Sequence, residues 1–489
     1  MRESNLLDSR SFTPVRLIML LAVLAVGGGC ITVGPDYVPP EIGPGETWDT
    51  SLAGGLNAEV PDTQALARWW TVFDDQMLTS LIERALAANL DLREAGARIK
   101  EARARRSIAR AGLFPSLASS ASATRSGSKS SEDGWSESDS FSAAFDVSWE
   151  LDLFGSVRRS GEAADAEFQA SEESFRSVLV SMIAEVALNY IELRTWQARL
   201  ATTENNLKLQ QQTCDLVNVR YQAGLDDDLA VQQALSNLQN TRSQLPDLRT
   251  SVHSSLNSLA VLLGQRPGSL DQELTLPRAV PMIPAEVSID VPAGLLSRRP
   301  DIRKAERDLA AQTARVGVAT AELYPHILIN GSYDLRSSSA GKLFSVNNSS
   351  YSFGPRLSWP IFKAGSILKN IEAQSALEEQ ALLQYEATVL KALEEVENII
   401  TAYSEEQNRW DLLNEAVQAV KNTAVLARYK YESGLIDFSS VLEAERSLNS
   451  FQDQLVQSEG TIASNLVRLY KALGGGWTEA QNISSNQVK

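Results

Sequence analysis

The sequence predicts a mixed α and β membrane protein, internally duplicated, whose few strands close a barrel only together with those of other chains. Three observations predict it. A set of residue pairs recurs at one fixed interval, a run in each half alternates apolar and polar, and each half then carries a very long stretch without proline.

The duplication comes first, because a missed repeat misassigns everything after it. Asp91-Leu92-Arg93 recurs as Asp301-Ile302-Arg303, Phe114-Pro115 as Tyr324-Pro325, and Gly155-Ser156 as Gly365-Ser366. Trp149 recurs as Trp359, Tyr221-Gln222-Ala223-Gly224-Leu225 as Tyr431-Glu432-Ser433-Gly434-Leu435, and Leu263-Gly264 as Leu473-Gly474. Members of every pair lie 210 positions apart. One such match is chance; six in one register are a repeat. The halves are joined by a passage holding Pro267, Pro277, Pro281, Pro284 and Pro292, predicted to be extended because proline lacks the amide donor a helix needs. A second irregular stretch is predicted from Ile31 to Pro61.

Strands are predicted where the side-chain period is two. Phe141, Phe145, Val147, Trp149, Leu151 and Leu153 alternate with Ser142, Asp146, Ser148, Glu150 and Asp152. Tyr351, Phe353, Leu357, Trp359 and Ile361 repeat the pattern against Ser352, Gly354, Arg356 and Ser358. A second strand precedes each: Ile327 to Leu335 alternates clearly, whereas Leu117 to Thr124 is mostly Ser and Ala. The Ser-rich stretches Arg125 to Ser140 and Ser337 to Ser350 are predicted to be polar loops.

Beyond each strand pair, Ser156 to Ala223 and Ser366 to Ser433 are predicted helices on the order of 100 Å long at about 1.5 Å per residue. Leu179, Ile183, Val186, Tyr190 and Leu193 keep the spacing of a coiled-coil seam, as do Val389, Leu393, Val396, Ile400 and Tyr403. Gly224 and Gly434 suit a left-handed C-cap, Asp227 and Asp437 a following N-cap. Each half then returns by a second helix to Gly264 or Gly474, and Pro246 is expected to kink the first of these.

Composition excludes several functions. A formal net charge of -16 opposes nucleic-acid binding, which needs clustered Lys and Arg. Only two histidines (His253, His326) and two cysteines (Cys30, Cys214) are present, too few for the usual His/Cys metal spacings, and phosphate-cradling and zinc-hydrolase motifs are absent. No catalytic residue, cofactor or metal site is predicted. Arg2, Arg10 and Arg16 lead into the apolar run Leu17 to Val26 and then Gly27-Gly28-Gly29-Cys30, an export signal too short to span a bilayer as a helix. The segment resembles a lipoprotein signal, with Cys30 as the acylated first residue of the mature chain, although Gly27 stands where Leu is usual. An ordinary signal with an incidental cysteine is the alternative.

Strands of this length suit an outer-membrane span of about 9–11 residues, apolar side chains toward lipid and polar ones toward a lumen. Four strands cannot close, and open edges in lipid would leave backbone groups unsatisfied, so several chains must pool them. A soluble sheet packed on one face is the alternative; the export signal, the aromatic ends and the duplicated hairpins favour the barrel.

These residues resemble the TolC-like outer-membrane efflux proteins, in the lipoprotein branch that includes OprM and NodT-type factors. The marks are Cys30 with Val33-Gly34-Pro35-Asp36-Tyr37, the Phe114-Pro115 and Tyr324-Pro325 strand starts, Asp152-Leu153-Phe154-Gly155, Arg298-Arg299-Pro300-Asp301-Ile302-Arg303, and the two Tyr-x-x-Gly-Leu turns. The resemblance implies a homotrimer giving four transmembrane strands per chain to a twelve-stranded barrel, with the long helices forming a periplasmic α-helical barrel. It implies a periplasmic adaptor and an inner-membrane efflux transporter as partners, outer-membrane lipid around the strands, and passive conduction through a gated duct. Expected divisions are a signal peptide at 1–29, an extended segment at 30–68, repeats at 69–277 and 278–474, and a flexible tail at 475–489. Adaptor contact is expected at the turns, through Arg220, Tyr221, Gly224, Lys430, Tyr431 and Gly434, and Trp149 and Trp359 at a membrane interface. The family's periplasmic gate maps onto Asp437, Ser439, Glu443 and Arg446, with Glu443 replacing the more usual Asp and Ser439 a bulkier apolar residue. Gln233 and Ser236 stand opposite Glu443 and Arg446 in the first half, so charge distinguishes the second turn. A surface pair at i and i+3 is the alternative for those two residues. Two further functions stay open: an exit duct for protein or peptide secretion, and a structural envelope lipoprotein without a pore.

Overall fold

The computed structural model describes residues 31–40, 43, 45, 47–58, 62–130, 134–284, 286–289 and 292–478. Cys30, the expected signal at 1–29 and residues 479–489 of the expected tail lie outside the described residues.

In chain order, β1 (Leu56–Asn57), α1 (Thr63–Ala67) and a 3-10 turn at Trp69–Phe73 precede α2 (Gln76–Ala88) and α3 (Leu90–Ala111). Strands β2 (Ser116–Ser130) and β3 (Gly134–Leu151) follow, then α4 (Ser156–Gln222) and its return helix α5 (Asp228–Leu262). Between the repeats lie α6 (Asp271–Leu274), β4 (Val287–Ser288) and α7 (Pro292–Arg298). The second repeat runs α8 (Pro300–Ala321), β5 (His326–Ser337), β6 (Ser349–Ser358), α9 (Ser366–Glu432) and α10 (Phe438–Ala472). Two compact units result: the described residues of Met1–Pro40, Lys100–Ser171 and Ala305–Tyr385, and those of Glu41–Ile99, Glu172–Lys304 and Glu386–Lys489.

The first unit holds a four-stranded antiparallel sheet in the order β2-β3-β5-β6. Its register aligns Phe145 with Tyr333 and Tyr333 with Tyr351, and Leu151 with Ile327 and Ile327 with Leu357. Cross-strand partners share a face, so the odd-numbered apolar residues of three strands form one surface. Much of that surface is bare: Phe145, Tyr333, Tyr351, Phe353 and Leu357 are exposed, while Leu151, Ile327 and Ile329 are half-buried. The opposite face pairs Ser122 with Ser142 and Ser332 with Ser352, hydroxyl to hydroxyl at 2.8 and 3.0 Å. The expected loop at Arg125 to Ser140 is instead hairpin, continuous in β2 and β3 except at 131–133, which lie outside the described residues. Arg125 faces Asp139 there through two hydrogen bonds of 2.6 and 2.8 Å. A ladder needs backbone pairing and not apolar alternation, which is why a Ser-rich ribbon escapes a pattern search. The second expected loop carries 3-10 turns at Ala340–Lys342 and Val346–Asn348.

In the second unit the stripe foreseen on α4 is buried: Ile183, Val186, Tyr190 and Leu193 have no exposure, and Val396, Ile400 and Tyr403 of α9 match them. Leu259 and Leu263 at the end of α5 and Leu466 and Leu469 of α10 complete this core with Trp69 and Leu78. The joining passage is not wholly extended as expected. Besides α6 and α7, Val287 pairs in parallel with Leu56, its amide bonded to Gly55 O at 2.9 Å. Pro267, Pro277, Pro281 and Pro284 lie outside these pieces, and Pro292 is the first residue of α7, where a helix needs no amide donor. Pro246 lies within α5, which continues through it from Asp228 to Leu262.

Both long helices end as the glycines dictate. Gly224 and Gly434 each have φ of 72°, a left-handed backbone that L side chains resist. Leu225 N then bonds Arg220 O at 2.9 Å and Leu435 N bonds Lys430 O at 2.8 Å, closing both termini in the same motif.

Candidate functional site

At the turns the repeat diverges, although its backbone does not. Arg220 Nε donates to Asp226 Oδ2 at 2.7 Å, and the Tyr431 hydroxyl donates to the same oxygen at 2.6 Å. The Arg220 guanidinium lies 4.7 Å from the centre of the Tyr431 ring, and its Nη1 reaches Glu432 O at 3.3 Å. Burial, then the bond to Asp226, push the Tyr431 phenol well above its ordinary range. The knot thus fastens the first turn to the end of α9. Tyr221, the repeat partner of Tyr431, is 43% exposed while Tyr431 is 1% exposed. Ile436 stands where Asp226 does, so the second turn cannot make the same knot. Of the six expected tip residues, Arg220 and Tyr431 meet each other, Gly224 and Gly434 cap, and Tyr221 and Lys430 face outward.

Asp227 accepts Ala230 N at 2.9 Å as the cap of α5, whereas Asp437 begins α10 without a side-chain cap bond. Phe438, Val441, Leu442 and Ala444 turn inward to a small apolar cluster with Val217, Ala230, Ala427 and Tyr431. Ser439, Glu443 and Arg446 therefore fall on the exposed side of α10. Arg446 Nε donates to Oδ1 of the buried Asn237 at 3.1 Å, linking α10 to α5 within the chain. Between them sits a residue the sequence did not single out. Glu445 accepts Thr213 Oγ1 at 2.6 Å, and burial raises its carboxyl pKa despite that bond and the Arg428 charge. Its repeat partner is Leu235, so the missed signal was an acid in an apolar register.

At the foot of the strands, Trp149 Nε1 donates to Leu113 O and Trp359 Nε1 to Leu323 O, both at 3.0 Å. Each indole satisfies a carbonyl just past the end of a helix, α3 or α8. The Val33 to Tyr37 motif is fixed nearby by Arg159, only 4% exposed. Arg159 Nε donates to Val33 O at 3.2 Å and Nη2 to Asp36 Oδ1 at 2.6 Å. Tyr37 donates its hydroxyl to Glu306 Oε1 at 2.9 Å, beneath the Arg307 guanidinium. Among the described residues, no group of three or more His, Cys, Asp or Glu could hold a metal ion.

These features have counterparts in known proteins. The profile of the outer membrane efflux protein family matches residues 81–265 and 291–475. Nodulation protein T of Rhizobium leguminosarum bv. trifolii is 33% identical over 450 residues, 92% of this chain and 95% of that protein. Toluene efflux pump outer membrane protein TtgI of Pseudomonas putida is 33% identical over 461 residues, 93% of this chain and 97% of its own. The solved outer-membrane channel OprN superposes with a TM-score of 0.82 at 35% identity, covering 91% of this chain and 99% of that one. With both repeats matched and the relatives covered nearly end to end, the chain belongs to the outer membrane efflux protein family.

Proposed function

We propose that the protein is the outer-membrane channel subunit of a tripartite efflux system, passively conducting what an inner-membrane transporter expels and a periplasmic adaptor hands on. The observation that carries this reading is the largely bare apolar face of a sheet whose outer strands, β2 and β6, each pair on one side only. In lipid such edges need partners, and three copies supply them by closing a barrel of twelve strands. The long helices continue the passage into the periplasm. A duct of this kind holds and releases solutes without chemistry, so no enzymatic step is assigned.

Within this reading the signal peptide is 1–29, Cys30 carries the lipid, the extended segment is 30–68, the repeats are 69–277 and 278–474, and the tail is 475–489. Trp149 and Trp359 mark the interface with the membrane, and the tips around Arg220, Tyr221 and Gly224 and around Lys430, Tyr431 and Gly434 meet the adaptor. Asp437, Ser439, Glu443 and Arg446 form the gate, with three exposed Glu443 carboxylates making an acidic ring that favours cations. Planar-bilayer recording tests the whole proposal. The purified trimer is expected to conduct, Glu443→Gln to lower cation preference, and Arg446→Ala to raise conductance by freeing α10 from Asn237. A protein that never conducts refutes the duct, and unaltered currents in both variants reduce the two residues to an ordinary helix surface.

A further inference from the structure

Among its described residues, the second unit holds two separate apolar bodies on helices α4 and α10. The large core takes residues of α4 only up to Leu193 and of α10 only from Ile462; the tip cluster starts at Cys214 on α4 and ends at Ala444 on α10. Between them, every buried residue of α4 is polar: Arg194, Gln197, Thr203, Asn206, Gln210 and Thr213. Over residues 445–457 helix α10 buries none. The two helices are joined there by side-chain hydrogen bonds. Arg199 binds Asp453 at 2.7 and 3.0 Å, Asn206 Nδ2 donates to Asn449 Oδ1 at 2.8 Å, and Thr213 donates to Glu445. Two amide oxygens in the same stretch, Gln210 Oε1 and Gln452 Oε1, are buried with no hydrogen-bond partner. Helices α5 and α9 do bury apolar side chains there, Leu238, Leu245 and Leu248 beside Asn237 and Thr241 on α5, and Leu413 and Val417 on α9.

We propose that the polar seam between α4 and α10 is a slip joint, and that Asn206, Asn449, Gln210 and Gln452 are positioning residues that set how readily the tip helices open. Parting an apolar seam exposes hydrocarbon to water with nothing in return. Parting a hydrogen-bonded one exchanges protein partners for water at small net cost, and the two unpartnered oxygens gain partners when water enters. Displacement is therefore easiest along α4 and α10, while the apolar residues of α5 and α9 hold the tip together. The proposal rests on the duct reading, and it concerns residues other than Glu443 and Arg446.

The experiment is single-channel recording on the full-length trimer, with assembly checked by size exclusion. Asn206→Leu with Asn449→Leu replaces the central pair by an apolar contact and is expected to cut the fraction of time in the open state at least fivefold. Asn206→Ser with Asn449→Ser keeps the seam polar and is expected to stay within twofold of the parent. An assembled leucine pair that opens as often as the parent overturns the joint, as does a serine pair that closes as the leucine pair does. Should the leucine pair fail to assemble, Gln452→Leu alone decides: lowered opening supports the joint and unmoved opening overturns it. A parent without conductance overturns the duct reading itself, whereas a conducting parent with unmoved variants overturns the joint alone.

Discussion

Gly460 lies within α10, where glycine costs about 1 kcal/mol relative to alanine, so something must exclude a larger residue. The reason is Thr195 of α4: a Cβ added at Gly460 would sit 2.8 Å from Thr195 Cγ2 and 3.0 Å from its Cβ, and in outright collision with Oγ1. Gly460→Ala therefore combines overpacking of about 1–3 kcal/mol with a propensity gain of about 1 kcal/mol. The expected net is a loss of up to about 2 kcal/mol. Thr195→Ala removes Oγ1 and Cγ2, the two closest atoms, and keeps the 3.0 Å contact of Cβ, which a shift of a few tenths of an ångström relieves. In that background Gly460→Ala is expected to be close to neutral, a favourable coupling of up to about 2 kcal/mol in the double-mutant cycle. The assay is thermal loss of helical circular dichroism for the four detergent-solubilised proteins at one scan rate, since unfolding of such an assembly is read as a rate-dependent midpoint. If Gly460→Ala costs the same in both backgrounds, Thr195 is not what demands the glycine.

The remaining expectations concern the tip. Glu445→Gln keeps the shape of the side chain and removes a half-buried charge. Because burial raises the folded pKa, the parent binds more protons folded than unfolded above the ordinary carboxylate range, and its stability falls as pH rises through the raised value. The variant should melt higher than the parent at neutral pH, the gap vanishing as pH falls into the ordinary range; a gap independent of pH rejects the assignment. Tyr431→Phe deletes one hydrogen bond to Asp226 and should cost about 0.5–1.5 kcal/mol in the same melts. Tyr221→Phe, at the exposed repeat partner, should change stability by less than about 0.5 kcal/mol. Equal effects of the two would mean that the knot does not hold the turn.

Much of the architecture was legible because it repeats or alternates. The 210-residue interval located both helix turns, and α4 and α9 end one residue short of the predicted ends. Alternation located β3, β5 and β6, but it required apolar partners and so lost the hairpin between Arg125 and Asp139, whose ladder runs mostly through Ser, Gly and charged residues. The short pairing of Val287 with Leu56 was illegible for another reason: nothing local to either residue names the other, more than two hundred positions away. Arg159 was missed although its partners lie in the Val33 to Tyr37 motif, because a contact across sequence leaves no periodic trace.

The differences between the halves separate into two kinds, and only the structure tells them apart. Asn89 and Arg299 occupy equivalent positions with unlike side chains, yet Asn89 Nδ2 donates to Leu262 O and Arg299 Nη1 to Ala472 O, each at 2.9 Å. Those carbonyls are themselves repeat partners near the ends of α5 and α10, so the substitution preserves a staple and says nothing about function. Tyr221 and Tyr431 are the reverse case, identical residues in unlike surroundings, because Asp226 has become Ile436. Leu235 against Glu445 and Ser236 against Arg446 extend that asymmetry into the return helices. A duplicated chain that needed only to be a wall would gain nothing from such differences, since each repeat already folds by the same rules. These differences lie within about one helical turn to three of the tips, where α10 is tied to α4 by Thr213 and to α5 by Asn237, beside the residues proposed as the gate, and unlike repeats there give the two return helices unequal ties to their neighbours.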